Sequence, residues 1–223
     1  MKKILLILVV FFCFVLTGYK TFFYLDHRSE QKEIVQNSTI SRLNTTEISK
    51  IQEGDFILRR GFGYFSDYIA TSLNTGPVDI THAGIIVKRN STFYVIHCLS
   101  SDVSKIDGVQ LQSLSQFLYY SAPDKIIVTR AKSSDAAFGK KVTVLAEGYL
   151  AKRIPFDHNG TIDDSSALFC TELIWQILEK DLKYAVLPAE AATRKKFFHS
   201  MTPMYSTEYF DIIVNQYEKE NRR

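Results

Sequence analysis

The longest uninterrupted apolar run in the chain comes first. Ile4 to Leu16 carries no polar side chain, and after Thr17 and Lys20 the pattern resumes at Phe22-Phe23-Tyr24-Leu25. A core helix would show polar residues at helical spacing, and this run shows none before Thr17. Lys2 and Lys3 ahead of it form a positive n-region before an apolar h-region, the pattern of an export signal. Continued through Leu25, the run reaches the roughly 20 apolar residues of a spanning anchor. Ended near Leu16 it is a cleaved signal, although no Ala-x-Ala-like site is visible and no Cys follows Leu16-Thr17-Gly18 to accept a lipid. Residues 1–25 are expected to be a signal anchor or signal peptide, with the remainder outside the cytoplasm. Residues 26–50 are polar and predict a stalk, and residues 51–223 predict the folded domain.

Within the domain the periodicity changes repeatedly. Gly54 to Arg59 predicts a turn and a short strand. Phe65, Tyr68, Ile69 and Leu73 fall at helical spacing and stop near Asn74-Thr75-Gly76-Pro77. Two strands follow, Thr81–Val87 and Thr92–Cys98, and a third is Lys125–Arg130. Asp135–Ala151 predicts a helix with Phe138, Val142, Leu145, Ala146 and Tyr149 on one face. Ile154–Asp157 is short and extended. Leu168–Lys180 is the strongest helix after the leader, burying Leu173, Ile174, Ile177 and Leu178 with Trp175 at its margin. Strands clustered between helices predict an α+β fold with a largely antiparallel sheet.

Composition narrows the function class. Hydrophobic residues make up 46% of the 223, which argues against disorder. The net charge is +3, with 27 Lys and Arg scattered among 24 acids rather than gathered in the basic stripe of a nucleic-acid binder. Of the three cysteines, Cys13 lies in the apolar run, so Cys98 and Cys170 remain for the domain. That is too few for a disulfide framework.

The candidate chemistry lies on one hairpin and one helix. A two-residue turn at Arg89-Asn90 pairs Lys88 with Ser91 and His82 with His97. Paired residues share a face, so both imidazoles stand on one side of the sheet and Cys98 on the other. Asp163-Asp164-Ser165-Ser166 supplies cap candidates for the late helix, which places Cys170 in its first turn, where free N–H groups and the helix dipole favour a thiolate.

Asp55 in Glu53-Gly54-Asp55-Phe56, the strand Thr81-His82-Ala83-Gly84-Ile85, and the helix Leu168-Phe169-Cys170-Thr171-Glu172-Leu173 together resemble the circularly permuted NlpC/P60 papain-like hydrolases. The YiiX/YebB-like permuted amidases are the most similar subgroup. The order, His before Cys, is that of the permuted branch, and the resemblance runs from about Glu53 to Tyr209. It implies an antiparallel sheet packed on helices, with Cys170 as nucleophile at a helix N-terminus and His82 as general base. It also implies an imidazole-orienting residue on the next strand, which here is His97. Backbone N–H groups at the helix start would hold the oxyanion. Asp55 and Glu172 belong to the pattern and are read as structural.

Other readings are weaker. His82, His97 and Cys170 can form a zinc-type set, but no CxxC or HExxH pair supports it. Asp157, Asp163 and Asp164 lack the calcium-loop spacing. His158 and His199 lie in loop-like or terminal contexts and His27 in the stalk, and none is read as functional. Asn-x-Ser/Thr triplets at Asn37, Asn44, Asn90 and Asn159 are read as chance, and the charged end Tyr217–Arg223 as a solvated tail. Phe62, Phe65 and Tyr68 are candidates for a hydrophobic rim, although aromatic residues at this spacing usually belong to a core. The expectation is a cysteine hydrolase of the bacterial cell envelope, held to the membrane through residues 4–25 or secreted after signal cleavage. It cleaves an amide or ester of the peptidoglycan-peptide or acyl-lipid class, without metal or cofactor. The alternatives are an acyltransferase on the same Cys/His site and an inactive binding module on this fold.

Overall fold

A computed structural model describes residues 2–74, 76–132, 135–160, 162, 165–189 and 201–220. Asp163, Asp164, His199 and the end of the charged tail lie outside them. Helix α1 (Lys2–Gln36) and the short α2 (Thr45–Lys50) precede a sheet of six strands. These are β1 (Phe56–Arg59), β2 (His82–Arg89), β3 (Thr92–Leu99), β4 (Gly108–Ser113), β5 (Ile126–Ala131) and β6 (Phe210–Asn215), in the order β4-β3-β2-β1-β5-β6. Every neighbouring pair is antiparallel. Helix α3 (Gly63–Tyr68) continues in wider turns through Leu73, and α4 (Leu114–Tyr119) follows β4. Helix α5 (Ala136–Lys152) follows β5, and α6 (Cys170–Trp175) continues in wider turns to Asp181.

The sheet is buried on both sides. Phe56, Ile57 and Leu58 in central β1 are fully buried, which explains their unbroken apolar run. Ala83, Ile85, Val87 and Cys98 face the layer of α5 and α6, which holds most of the core. Ile86, Val95 and Val128 face a smaller cluster with Phe117 of α4. Trp175 lies within the main core rather than at its margin, 2% exposed, with its ring against Tyr209 and Phe210.

The β2–β3 turn is one residue later than the hydrophobic pattern predicts. Asn90 and Ser91 are its centre, with φ of 47° and 65°, and Arg89 pairs with Thr92. Such a turn needs positive φ at both central residues, which Asn adopts more readily than Arg. His97 therefore faces Gly84 instead of His82. The shift changes the pairing by two residues, so His82, Gly84 and His97 remain on one face, as expected.

The polar stretch 26–50 is not an extended stalk. α1 runs on to Gln36, and its second half packs on the domain: Asp26 and Ile34 are buried, as are Arg42, Leu43 and Glu47 beyond it. The Asp26 carboxylate accepts the N–H of Phe65 at 2.7 Å, and Glu33 that of Gly63 at 3.3 Å. Carboxylates from α1 thus satisfy the open N–H groups at the start of α3. Asn44 begins α2 through a reciprocal capping box with Glu47.

The helix carrying Cys170 starts later than its apolar pattern. Leu168 is held extended by a parallel bridge to Phe156, so Phe169 is the N-cap and Cys170 the first helical residue. The expected caps, Ser165 and Ser166, lie upstream of it. Asp55 and Glu172 are structural: Asp55 binds Arg130 at 2.7 and 2.9 Å, and Glu172 accepts the Phe169 N–H at 3.3 Å.

Where α5 crosses the entry to β1, the backbones nearly touch, and a Cβ on Gly139 would stand 2.4 Å from the Glu53 carbonyl oxygen. Helix propensity favours alanine over glycine by about 1 kcal/mol, but this contact reverses the sign. Gly139→Ala should lower stability by about 1–3 kcal/mol in urea unfolding.

Candidate functional site

Cys170 and the two histidines come from opposite layers. α6 brings Cys170 to one face of the sheet, while His82 opens β2 on the other. They meet at the end of the sheet, where both line a cavity of about 450 Å³. That volume lies within the usual range of small-molecule sites. Among the described residues no hydrogen bond joins the two side chains directly.

The histidine pair is preorganised. His82 Nε2 lies 2.9 Å from His97 Nδ1, with rings at 79° and centroids 5.1 Å apart. The Phe117 ring stands against both, at 5.7 and 5.4 Å. His97 is fully buried, and its Nε2 has no partner of full hydrogen-bond geometry among the described residues. Gln112 on β4 is the polar side chain that acts on this imidazole. Burial, then the charge of Arg59, pushes the His97 pKa down to about 3. The same two causes, with His97 next, hold His82 well below 6.5. Both imidazoles are therefore neutral at rest. Engagement of Nε2 by His97 leaves Nδ1 as the His82 nitrogen available to the cavity.

Cys170 experiences opposing effects. Burial is the larger and lifts the thiol to about 11. Backbone N–H groups of Ala83, Thr171 and Cys170 itself, followed by the Arg59 charge, act to lower it. The site thus rests as thiol and imidazole, with donors already placed for a negative charge at sulfur. Cys98 lines the same cavity, but every effect on its thiol acts to raise the pKa. Its thiol donates to the Leu168 carbonyl at 2.8 Å, and burial raises its pKa further than that of Cys170.

Arg59 was not singled out by sequence reasoning. It ends β1 directly opposite His82, is 7% exposed and lines the cavity. Its guanidinium stacks 4.9 Å over Phe117 and donates through Nη1 to the Tyr120 carbonyl, while Nε is buried without a partner among the described residues. Burial lowers even its pKa, to about 10. The visible signal was a charged residue closing an apolar strand, but its role depends on the β1–β2 register, which the sequence does not print. Of the other candidates, Phe62 and Phe65 line the cavity, whereas Tyr68 does not and is exposed. His158 is at the mouth, 3.3 Å from Asp107. His27 is exposed beside Glu30.

A neutral thiol, a neutral imidazole with one nitrogen fixed, and backbone N–H groups that favour negative charge at sulfur make an arrangement suited to nucleophilic acyl transfer.

Comparison with known proteins agrees with this chemistry. No curated protein matches the chain. A crystal structure described as the metalloprotein yiiX (DUF1105) from Escherichia coli O157:H7 resembles it in fold, with a TM-score of 0.50. The likeness covers 60% of this chain and 68% of that one at 22% identity. Residues 50–216 match the family model described as "Permuted papain-like amidase enzyme, YaeF/YiiX, C92 family". With well over half of its length matched, an α+β fold of the permuted papain-like kind and a cysteine-hydrolase class, the chain belongs to the YaeF/YiiX permuted papain-like amidase family.

Proposed function

We propose that this chain is a membrane-anchored cysteine hydrolase that cleaves an amide or ester through a thioester on Cys170, with the catalytic domain outside the cytoplasm. The observation that carries it is that Cys170, the first residue of α6, lines one cavity with His82, whose Nε2 is held 2.9 Å from His97 Nδ1. In the first step Sγ attacks the carbonyl carbon and its proton passes to His82 Nδ1. Backbone N–H groups at the start of α6 hold the oxyanion. His82 then protonates the departing amine or alcohol as the C–N or C–O bond breaks, leaving a thioester. Water, giving its proton to His82, attacks the thioester, and the acid leaves as the thiol is restored. His97 is a positioning residue: as a neutral acceptor it keeps the His82 proton on Nε2 and leaves Nδ1 free to act as base.

The anchor reading rests on α1, whose apolar window is long enough to cross a bilayer and is exposed throughout. The family, described as amidase, supports amide cleavage; ester cleavage by the same thioester route, and a substrate that is a peptidoglycan-type peptide or an acyl lipid, are part of the proposal. The yiiX neighbour is titled a metalloprotein. In this chain the facing nitrogens of His82 and His97 stand at hydrogen-bond distance, leaving no room for an ion between them. Among the described residues no group of three His, Cys, Asp or Glu side chains is placed to hold one. No step above runs through a metal.

Two measurements check this reading. With a fluorogenic ester, Cys170→Ala should abolish turnover. His82→Asn should lower kcat/KM by about 10²–10⁴, and His97→Ala by about 10- to 100-fold. Full activity of Cys170→Ala would end the proposal. The second is the pH profile. The base must be unprotonated, and His82 titrates well below 6.5, so kcat/KM should stay flat as pH falls through 6.5 and drop only at lower pH. Arg59→Gln removes a positive charge that depresses His82, so its acid limb should move up toward 6.5. A wild-type limb already at 6.5 would contradict the neutral, buried pair.

A further inference from the structure

The anchor helix forms part of the cavity wall. Tyr19 and Phe23 of α1 line it together with Phe62, Phe65 and Ile69 of the domain, and the rings of Phe23 and Phe65 meet edge to face at 5.6 Å. Tyr19 and Phe23 also belong to the apolar run Ile4–Leu25. At 1.5 Å per residue, that run is about 33 Å long, close to the ~30 Å of a bilayer's hydrocarbon core. If the run spans a membrane, the cavity rim at Tyr19 and Phe23 reaches the level where acyl chains begin, and Cys170 is a buried part of the same cavity wall. The ionisable side chains of the lining are mostly acidic: Asp26, Glu30, Asp102 and Asp157 stand with the guanidinium of Arg59 and with His158, and burial raises the pKa of Asp26 and Glu30 so that Asp102 and Asp157 carry most of the negative charge. A carboxylate-rich cell-wall peptide or an anionic headgroup would meet repulsion there, whereas an uncharged or cationic head would not.

We infer that the cavity takes a single long acyl chain drawn from the bilayer along α1, presented as an ester or amide of an uncharged or cationic head group. The carbonyl then lies at Cys170 and His82, the chain runs back between Phe23 and Phe65 toward the membrane, and the head leaves past the acidic mouth. This inference rests on the hydrolase reading above and chooses the lipid class within it.

The test uses the full-length protein in phosphatidylcholine nanodiscs, with 4-methylumbelliferyl esters of acetyl, octanoyl and dodecanoyl groups. A second pair, dodecanoylcholine and dodecanoyl glycerol phosphate, probes head charge. The expected result is a rise in kcat/KM of at least tenfold from acetyl to dodecanoyl, and a preference for the choline ester of similar size. Phe65→Ala and Phe23→Glu should each lose most of the chain-length preference, with thermal unfolding and Cys170 alkylation reporting that the fold persists. Phe65→Ala serves alone if Phe23→Glu does not fold. Turnover through Cys170 with no dependence on chain length would overturn the acyl inference and leave the hydrolase reading standing. A preference for the anionic head would overturn the head-group part. No Cys170-dependent turnover of any ester or amide would overturn the hydrolase reading itself.

Discussion

The site depends on one close approach in the sheet. His97 pairs with Gly84, and a Cβ on Gly84 would meet Val95 Cγ1 at 2.4 Å and His97 Cβ at 3.2 Å. The missing side chain lets the His97 ring lean diagonally to His82, two residues along the neighbouring strand, and close a 2.9 Å contact. Gly84 therefore sets the geometry as firmly as the histidines do. Phe117 of α4 then closes the pair against water from the other side, and Arg59 closes it from β1.

Burial gives this pair its chemical character. Desolvation is the first cause of the shift at His82, His97 and Cys170, and in each it favours the neutral form. Against that burial, the Ala83, Thr171 and Cys170 backbone N–H groups and the Arg59 charge favour a negative charge at sulfur. Arg59 has two effects: it depresses the base and supports the thiolate. The arrangement differs from a resting thiolate–imidazolium pair, and under the proposed mechanism the proton transfer falls inside the acylation step.

Much of this was legible in the sequence, for definable reasons. Long periodic segments such as Asp135–Ala151 announce themselves because one helical face is buried, and short apolar runs such as Phe56–Leu58 because every residue is. The shared face of His82 and His97 survived an error in the turn because faces repeat every two residues. The turn itself was missed because Asn90 and Ser91 are chosen by backbone φ, not by hydrophobic pattern. β4 and β6, Gly108–Ser113 and Phe210–Asn215, are edge strands whose mixed polar and apolar positions give no unbroken apolar run to mark them. The polar face of α1 beyond Leu25 resembled a stalk because its carboxylates are satisfied by α3, forty residues away in sequence for Asp26 and Phe65 in round terms, and no local pattern shows such a partner. Arg59 was hidden for the same reason, since its importance comes from the strand beside it.

In the proposed reaction an acyl group passes through Cys170 with His82 as its base. Rapid acid quenching during turnover of a chromogenic ester, followed by peptide mass spectrometry, tests it most directly. The account predicts an added acyl mass on Cys170 that hydroxylamine removes and that is missing in His82→Asn. An acyl group found on Cys98, or steady turnover with no acyl group on Cys170 at any quench time, would contradict it.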